Sequence, residues 1–204
     1  MPVLITLEGI DGCGKSSLHE ALAVSLSDLF PVMTREPGAT WIGDQVRRAI
    51  AEQADPIAEA LLFVADHAAH LREVVRPALS EGRLVISDRY IDSRFAYQEV
   101  SLSGCLSDPA GWLYSVHNGW TVIPDLTFLL VLSVDTALGR TKNRISAEHF
   151  EKADVLARVQ ENYLSRARAE PWRFVIVDGA LAPEVILNFV TAEIRKRVLG
   201  KKLP

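Results

Sequence analysis

Five short apolar runs recur along the chain, and each is followed by a turn or by a segment with helical spacing. The runs cover residues 2–9, 30–38, 83–90, 126–135 and 173–179. They are rich in Val, Ile, Leu and Phe and lack the regular polar alternation of a strand with one wet face. Near-continuous apolar strands are typical of a sheet covered on both faces, which is usually parallel.

Segments with helical spacing fill the intervals between these runs. Leu18, Leu22 and Leu26, for example, stand four residues apart after the first run. Helices are predicted over residues 15–28, 41–53, 56–80 (one or two), 92–100, 107–119, 135–144, 148–170 and from 183 onward. Strands that alternate with helices imply βαβ units. The predicted fold class is therefore α/β, with a five-stranded parallel sheet and helices on both faces.

Length and composition fit a single domain over residues 1–204, since 49% of the 204 residues are hydrophobic and 24% are charged. A net charge of −4 argues against a nucleic-acid-binding scaffold. The first apolar stretch ends at Glu8, too early for a signal peptide or a membrane span. We therefore expect a cytoplasmic protein with neither nucleic acid nor membrane as a partner.

The string "GIDGCGKS" fits the phosphate-binding pattern G-x-x-x-x-G-K-[ST] in full. Its glycines let successive main-chain N–H groups converge on phosphate oxygens, and the following helix adds its positive N-terminal end. Lys15 is predicted to reach the terminal phosphates, and the Ser16 hydroxyl to ligate Mg²⁺. The predicted ATP-binding residues are Gly9, Ile10, Asp11, Gly12, Cys13, Gly14, Lys15, Ser16 and Ser17.

The strand that ends in "LVISDRY" narrows the choice among nucleotide-binding classes. The guanine-reading string N-K-x-D of small GTPases does not occur in the sequence. Asp88 at the strand end is predicted to hold the Mg²⁺ hydration shell, which gives two metal-site residues with Ser16. Arg89 beside it suits a second anionic substrate better than a water nucleophile.

Five strings together resemble the thymidylate kinase family in the right order over nearly the whole chain. They are "LEGIDGCGKSS", "TREPG", "LLFVADHAAH", "SDRYIDSRFAYQ" and "PDLTFLLVLSVD". The resemblance implies the P-loop nucleoside monophosphate kinase fold with a short lid, and a homodimer. It also implies transfer of the γ-phosphoryl group of ATP to thymidine monophosphate in the presence of Mg²⁺, as a step toward dTTP.

The acceptor phosphate is expected near the carboxyl ends of the second and third strands. Arg35 and Arg89 are predicted to bind it there, since guanidinium groups pair bidentately with a dianion. The resemblance implies that Asp11 meets the sugar 3′-hydroxyl; the alternative is a carboxylate that stabilises its own turn. Glu36 has three open roles: to position Arg35, to approach the substrate, or to approach Mg²⁺.

The base is expected near Phe63, which the resemblance implies stacks on thymine; its alternative role is a core aromatic. His67 departs from the family, which usually has a base-binding arginine four residues after the phenylalanine. We expect His67 to face the base, through a water molecule where needed, with thymine selectivity less strict than usual. Ser93, Tyr97 and Gln98 are predicted to line the base and sugar pocket, with Tyr97 against the sugar C2′.

A lid is predicted over about residues 139–152. Family members carry the arginine that stabilises the transition state either in the P-loop or in the lid. Gly12 occupies the P-loop position in this chain, so the resemblance assigns the role to Arg140 or Arg144. The alternative is a solvated basic helix end.

The predicted catalytic residues are thus Asp11, Lys15, Arg89, Arg140 and Arg144. Two other functions remain open at this level: a P-loop kinase for another small acceptor, and an ATP-binding module without turnover.

Overall fold

The structure, a computed structural model, describes residues 2–141 and 152–200. All strand pairs in it are parallel, in the order β2-β3-β1-β4-β5, which confirms the predicted five-stranded parallel sheet. The strands are β1 (Val3–Glu8), β2 (Val32–Arg35), β3 (Leu84–Asp88), β4 (Leu126–Val131) and β5 (Phe174–Asp178).

Helices connect successive strands. They are α1 (Lys15–Ser25), α2 (Trp41–Ala51), α3 (Pro56–His70), α4 (Arg76–Ser80), α5 (Ile91–Ser93), α6 (Glu99–Leu102), α7 (Pro109–His117), α8 (Val134–Thr141), α9 (Ala153–Ala169) and α10 (Pro183–Gly200), with a 3-10 turn at Ser27–Leu29. None of the helices in residues 2–141 and 152–200 combines the length and the apolar character that a membrane span requires.

Polar caps fix where several helices begin. The Asp55 carboxylate accepts hydrogen bonds from the N–H groups of Ile57 and Ala58, and Asp108 accepts one from Gly111 N. A proline follows each of these caps, at the position where a missing N–H group has no consequence. Such caps satisfy donors that the helix itself leaves free.

Two helical segments differ from the prediction by π turns. Residues 56–80 form one continuous helical stretch with a π turn at Leu71–Val75, and a second π turn, Arg94–Gln98, joins α5 to α6. A π turn inserts one extra residue per turn and often occurs at functional sites. The second one carries Tyr97 and Gln98 of the predicted pocket.

The sheet has an apolar layer on each face. Val3, Ile5 and Leu7 of β1 belong to a core cluster with residues of α1 and α10. Leu4 belongs to a second cluster, which includes Leu71 in the π turn after α3. Since neighbouring side chains on a strand point to opposite faces, the alternation buries β1 between helices on both sides, as predicted.

A buried ion cluster ties the segment after β3 to the far side of the sheet. Arg173, just before β5, donates from Nη1 to Asp92 Oδ2 at 2.6 Å and from Nη2 to Asp92 Oδ1 at 2.8 Å. Arg166 of α9 adds a bond from Nε to Asp92 Oδ1 at 2.8 Å. Burial raises the pKa of Asp92, but the two guanidinium groups outweigh it and leave the pKa below its ordinary value.

The carboxyl ends of the strands meet at one edge of the sheet. Arg35 and Leu7 both pair with Asp88 across neighbouring strands. The loop after β1, the end of β2 and the turn after β3 therefore lie side by side, where open α/β sheets bind their ligands. Arg144 and most of the predicted lid (residues 142–151) lie outside the described residues.

Candidate active site

A cavity of about 750 Å³ opens at this edge of the sheet. Its wall includes all of Asp11 to Ser17, whereas Gly9 and Ile10 are buried beneath the loop. Most of the other predicted site residues also line it: Arg35, Glu36, Phe63, Asp88, Arg89, Ser93, Tyr97, Gln98 and Arg140. A volume of this size suits small-molecule ligands.

The backbone of the phosphate loop requires glycine. Gly9 has φ +137°, and a Cβ there would stand 2.4 Å from the carbonyl oxygen of Leu130 in β4. Gly14, at φ +104°, immediately precedes α1, so the N-terminus of that helix faces the cavity. The loop thus has the tight turns and the helix end that phosphate binding needs.

Lys15 lies folded over this loop. Its ammonium group donates hydrogen bonds to the carbonyl oxygens of Gly9 and Ile10, each at 2.9 Å. The side chain is buried on the cavity wall. Carbonyl oxygens of the loop itself therefore accept two hydrogen bonds from the charged group.

Ser16 and Asp88 meet across the cavity floor. The Ser16 hydroxyl donates to Asp88 Oδ2 at 2.8 Å, although the two residues are 72 positions apart. Asp88 Oδ1 is buried and has no hydrogen-bond partner among the described residues. A hydroxyl beside a carboxylate with one free oxygen is the oxygen donor set that Mg²⁺ prefers when phosphates and water complete its shell.

Arg89 is held in a strained backbone conformation. Its φ is +65°, which costs roughly 1–3 kcal/mol for a residue with a side chain. Ser87 stabilises the turn by donating from Oγ to the Arg89 carbonyl oxygen at 2.7 Å. This conformation directs the guanidinium group into the cavity, where Nη2 donates to Asp11 Oδ1 at 2.5 Å and to the Tyr97 hydroxyl at 3.2 Å.

Asp11 joins the phosphate loop to this arginine. Besides its bond to Arg89, it accepts a hydrogen bond on Oδ2 from the Tyr97 hydroxyl at 2.8 Å. Burial raises the pKa of Asp11, but Arg89 and then Lys15 outweigh it and hold the pKa well below its ordinary value. Burial likewise lowers the pKa of Arg89, and Asp11 more than reverses the effect. The two groups form an ion pair between the donor loop and the turn after β3.

Glu8 is a residue of this region that the sequence analysis missed. At the end of β1 it accepts from Tyr90 N at 2.8 Å, from Ser93 Oγ at 2.6 Å and from the Tyr163 hydroxyl at 2.9 Å. Burial, followed by the nearby Asp92 charge, raises the pKa of Glu8 to about 7. A lone carboxylate in a fully buried strand was the available clue.

Glu8→Gln tests this shift through the pH dependence of stability. Between its ordinary pKa of 4.5 and about 7, the folded protein keeps a proton on Glu8 that the unfolded chain releases. The free energy of unfolding of the wild type, relative to Glu8→Gln, should therefore fall as pH rises from 4.5 to 7 and level off above. Urea unfolding at a series of pH values measures it. Glu52→Gln, at the exposed residue that follows α2, is the control and should show no such slope. Parallel wild-type and Glu8→Gln curves would refute the shift.

Glu36 is the centre of a second buried cluster. Its Oε1 lies 2.9 Å from His67 Nδ1 and 2.6 Å from His70 Nδ1, and its Oε2 accepts from Arg94 Nη2 at 2.8 Å. Burial raises the pKa of Glu36, but His67, His70 and Arg94 together hold it well below its ordinary value. In this structure Glu36, on the cavity wall, anchors Arg94 and two imidazole rings, a role that was not among the three predicted for it.

His67 does not lie where it was predicted. Its ring has no exposed surface and is absent from the cavity wall. Nδ1 faces Glu36, Nε2 lies 3.3 Å from Thr121 Oγ1, and the ring centroid is 4.7 Å from that of Tyr90. The buried Glu36 carboxylate needs hydrogen-bond partners, and it draws this face of α3 inward. In this structure the ring therefore lies behind the cavity wall, and its contact with the base stays a prediction.

Arg94 was missed by the sequence analysis and stands on the wall instead. Its guanidinium carbon lies 4.4 Å from the centroid of the Phe63 ring, and the arginine is only 2% exposed. Gln98, one helical turn further on, is also buried on the wall, and neither of its amide atoms has a partner among the described residues. The clue to Arg94 was an arginine inside the otherwise buried string "SRFAYQ".

Helix α8 packs directly on the phosphate loop at Gly12. A Cβ at this position would stand 2.3 Å from the carbonyl oxygen of Ala137 in α8, so no side chain fits there. Arg140, one turn after Ala137, is exposed and contributes to the cavity wall. Of the two predicted lid arginines, Arg140 therefore has a described position at the cavity.

One cavity thus combines a P-loop, a helix packed over it and a second set of cationic side chains. This arrangement defines the protein as a P-loop phosphotransferase of the nucleoside monophosphate kinase type. A family profile described as thymidylate kinase matches residues 7–190. The chain belongs to the thymidylate kinase family.

Relatives named "Probable thymidylate kinase" match along nearly their whole length. The protein of Methanospirillum hungatei is 63% identical over 195 residues, which cover 96% of this chain and 95% of the relative. That of Methanoculleus marisnigri is 60% identical over 193 residues, covering 95% and 94%. That of Methanocorpusculum labreanum is 57% identical over 193 residues, covering 95% and 98%.

Proposed function

We propose that this protein transfers the γ-phosphoryl group of ATP to thymidine monophosphate and forms thymidine diphosphate. The observation that carries the proposal is the ion pair between Asp11 of the phosphate loop and Arg89. This contact, between two residues that line one cavity, supports a donor site and an acceptor site side by side. Family membership and the names of the relatives support thymidine monophosphate as the acceptor.

The donor site is the loop from Gly9 to Ser17. Main-chain N–H groups and the N-terminus of α1 bind the phosphates of ATP, and Lys15 exchanges its bonds to Gly9 and Ile10 for bonds to the terminal phosphates. Ser16 and Asp88 are the residues that would hold Mg²⁺. The bound ion would neutralise charge on the β- and γ-phosphate oxygens.

The acceptor site lies on the other side of Asp11. Arg35 and Arg89 bind the monophosphate, and Tyr97 closes the wall beside the sugar. Ser93 donates to Glu8 and accepts from Arg89 Nη1 at 3.2 Å, so it acts by positioning the arginine. Asp11 exchanges its bond to Arg89 for one to the sugar 3′-hydroxyl, and Phe63 packs against the base.

Transfer requires little beyond alignment and neutralisation of charge. Arg140, or Arg144 from the lid, stabilises the negative charge on the transferring group. Closure of the lid excludes water, which would otherwise hydrolyse ATP. The proposal includes a cytoplasmic location and, by family resemblance, a homodimer.

A panel of acceptors tests the proposed reaction. ADP release is measured with deoxythymidine, deoxyuridine, deoxycytidine, deoxyadenosine and deoxyguanosine monophosphates and their ribose counterparts, with a reaction lacking acceptor as the blank. Thymidine monophosphate should give the highest kcat/KM. Faster turnover of another acceptor would move the function to a different kinase, and ATP binding without turnover would leave only a binding module.

A further inference from the structure

A buried arginine on the cavity wall, Arg94, is not one of the two arginines proposed to bind the acceptor phosphate. Arg94 lies in the π turn after α5, lines the cavity and faces the ring of Phe63 at 4.4 Å. Its Nη2 donates to Glu36 Oε2 at 2.8 Å. Glu36 thus both neutralises the guanidinium group and fixes its orientation, since a buried charge needs a partner with good geometry.

Unsatisfied polar atoms surround this position. Arg94 Nε and both amide atoms of Gln98 are buried without a hydrogen-bond partner among the described residues. Buried polar groups are normally paired, so such atoms on a cavity wall point to a polar ligand that completes them. His67 is engaged with Glu36 and Thr121 behind the wall, which leaves the contact to residues of the π turn.

Arg94 and Gln98 differ in the groups with which they can form hydrogen bonds. A guanidinium group has only N–H donors, whereas a glutamine amide has a donor and an acceptor and can rotate to present either. Thymine and uracil have a carbonyl oxygen at C4, and cytosine has an amino group there with two N–H donors. At the C4 substituent, Gln98 can therefore pair with either kind of pyrimidine, but Arg94 can pair only with the oxygen of a 4-oxo base.

We propose that Arg94 is the specificity-determining residue for the acceptor base, and that it selects a 4-oxopyrimidine by donating hydrogen bonds to the base oxygen while Phe63 packs beside it. This inference rests on the proposed kinase function and assigns its base selectivity to the π turn. A 4-amino base in the same place would leave the guanidinium donors opposite other donors, which is strongly disfavoured in a buried site.

Substitution at Arg94 tests the assignment through a ratio of acceptors. In Arg94→Met, the kcat/KM for thymidine monophosphate relative to deoxycytidine monophosphate should fall by about 10- to 100-fold. The ratio should fall because kcat/KM for thymidine monophosphate decreases, and kcat/KM for deoxyuridine monophosphate should decrease with it. Arg48→Met, on the exposed surface of α2, is the control and should keep the wild-type ratio.

Arg94→Lys keeps a positive charge beside Glu36 and provides the decisive variant where Arg94→Met fails to fold. It retains donors but loses the planar fork, so its ratio should lie between those of the wild type and Arg94→Met. Equilibrium binding of the two monophosphates without ATP should give the same order of ratios.

The outcomes separate this inference from the proposed function. Wild-type turnover of thymidine monophosphate with an equal loss toward all acceptors in the variants would show that Arg94 only supports the fold. An unchanged ratio in a folded Arg94→Lys or Arg94→Met would overturn base selection in the same way. A wild type that phosphorylates no pyrimidine monophosphate would overturn the proposed function and this inference together.

Discussion

Arg89→Ala should lower kcat/KM for the phosphorylation of thymidine monophosphate by about 10³-fold while leaving the Kd for ATP nearly unchanged. The guanidinium group stands between the phosphate loop and the acceptor side, where it pairs with Asp11 and Tyr97. Removal of the group takes away a charged donor for the acceptor phosphate and for the charge of the transition state. The phosphate loop keeps its glycines, Lys15 and Ser16, so ATP should still bind.

Steady-state kinetics with both substrates and equilibrium binding of an ATP analogue measure the two effects separately. Arg48→Ala is the matched control, since the Arg48 side chain is 70% exposed on α2 and its guanidinium pairs only with Glu52 among the described residues. Arg89→Lys should recover part of the activity, because a point charge lacks the bidentate fork. A parallel loss of ATP binding in Arg89→Ala would instead place Arg89 on the donor side.

Arg173→Met should lower the free energy of unfolding by about 3–5 kcal/mol. The substitution leaves the Asp92 carboxylate buried without the two hydrogen bonds that Arg173 donates, at 2.6 and 2.8 Å. Arg166 keeps one contact to Asp92, so the charge is not wholly uncompensated. Loss of one partner from a buried ion pair is far more costly than loss of the pair as a whole.

Urea unfolding of the wild type and of Arg173→Met at pH 7 measures the change in the free energy of unfolding. Arg168→Met is the control, because that arginine pairs with Glu161 on the exposed surface of α9, where an ion pair contributes at most about 1 kcal/mol. The double variant Asp92→Asn and Arg173→Met should recover part of the loss. A decrease for Arg173→Met no larger than that of the control would contradict a stabilising role for the cluster.

The sheet and the phosphate loop could be predicted because their information is local. Each strand is a continuous apolar run, and the loop needs glycines, a lysine and a serine within eight positions. The prediction that "TREPG" and "SDRY" converge also followed from a simple rule, that the carboxyl ends of parallel strands share one edge.

The Glu36 cluster could not be predicted in the same way. It joins the end of β2, helix α3 and the π turn after α5, at residues 31 to 58 positions from Glu36. Periodicity placed His67 on the same helical face as Phe63, but a face spans a wide angle. The need of the buried Glu36 carboxylate for hydrogen-bond partners decides which part of this helical face turns toward the cavity.

The π turn itself could not be predicted from the sequence either. An extra residue in a helical turn leaves the composition unchanged and shifts later side chains by about 100° relative to a regular helix. That shift decides which members of "SRFAYQ" face the cavity. Arg94 therefore looked like an ordinary helix residue until its neighbours were known.

The ion pair between Asp11 and Arg89 means that, in the proposed acceptor site, one anion has to replace another. The guanidinium group of Arg89, whose side chain is 16% exposed, is already paired with the Asp11 carboxylate. In the proposed reaction, the acceptor phosphate replaces the Asp11 carboxylate at the same guanidinium donors, and the carboxylate becomes available to the sugar. We therefore expect an acceptor without a phosphate to leave the Asp11–Arg89 ion pair in place.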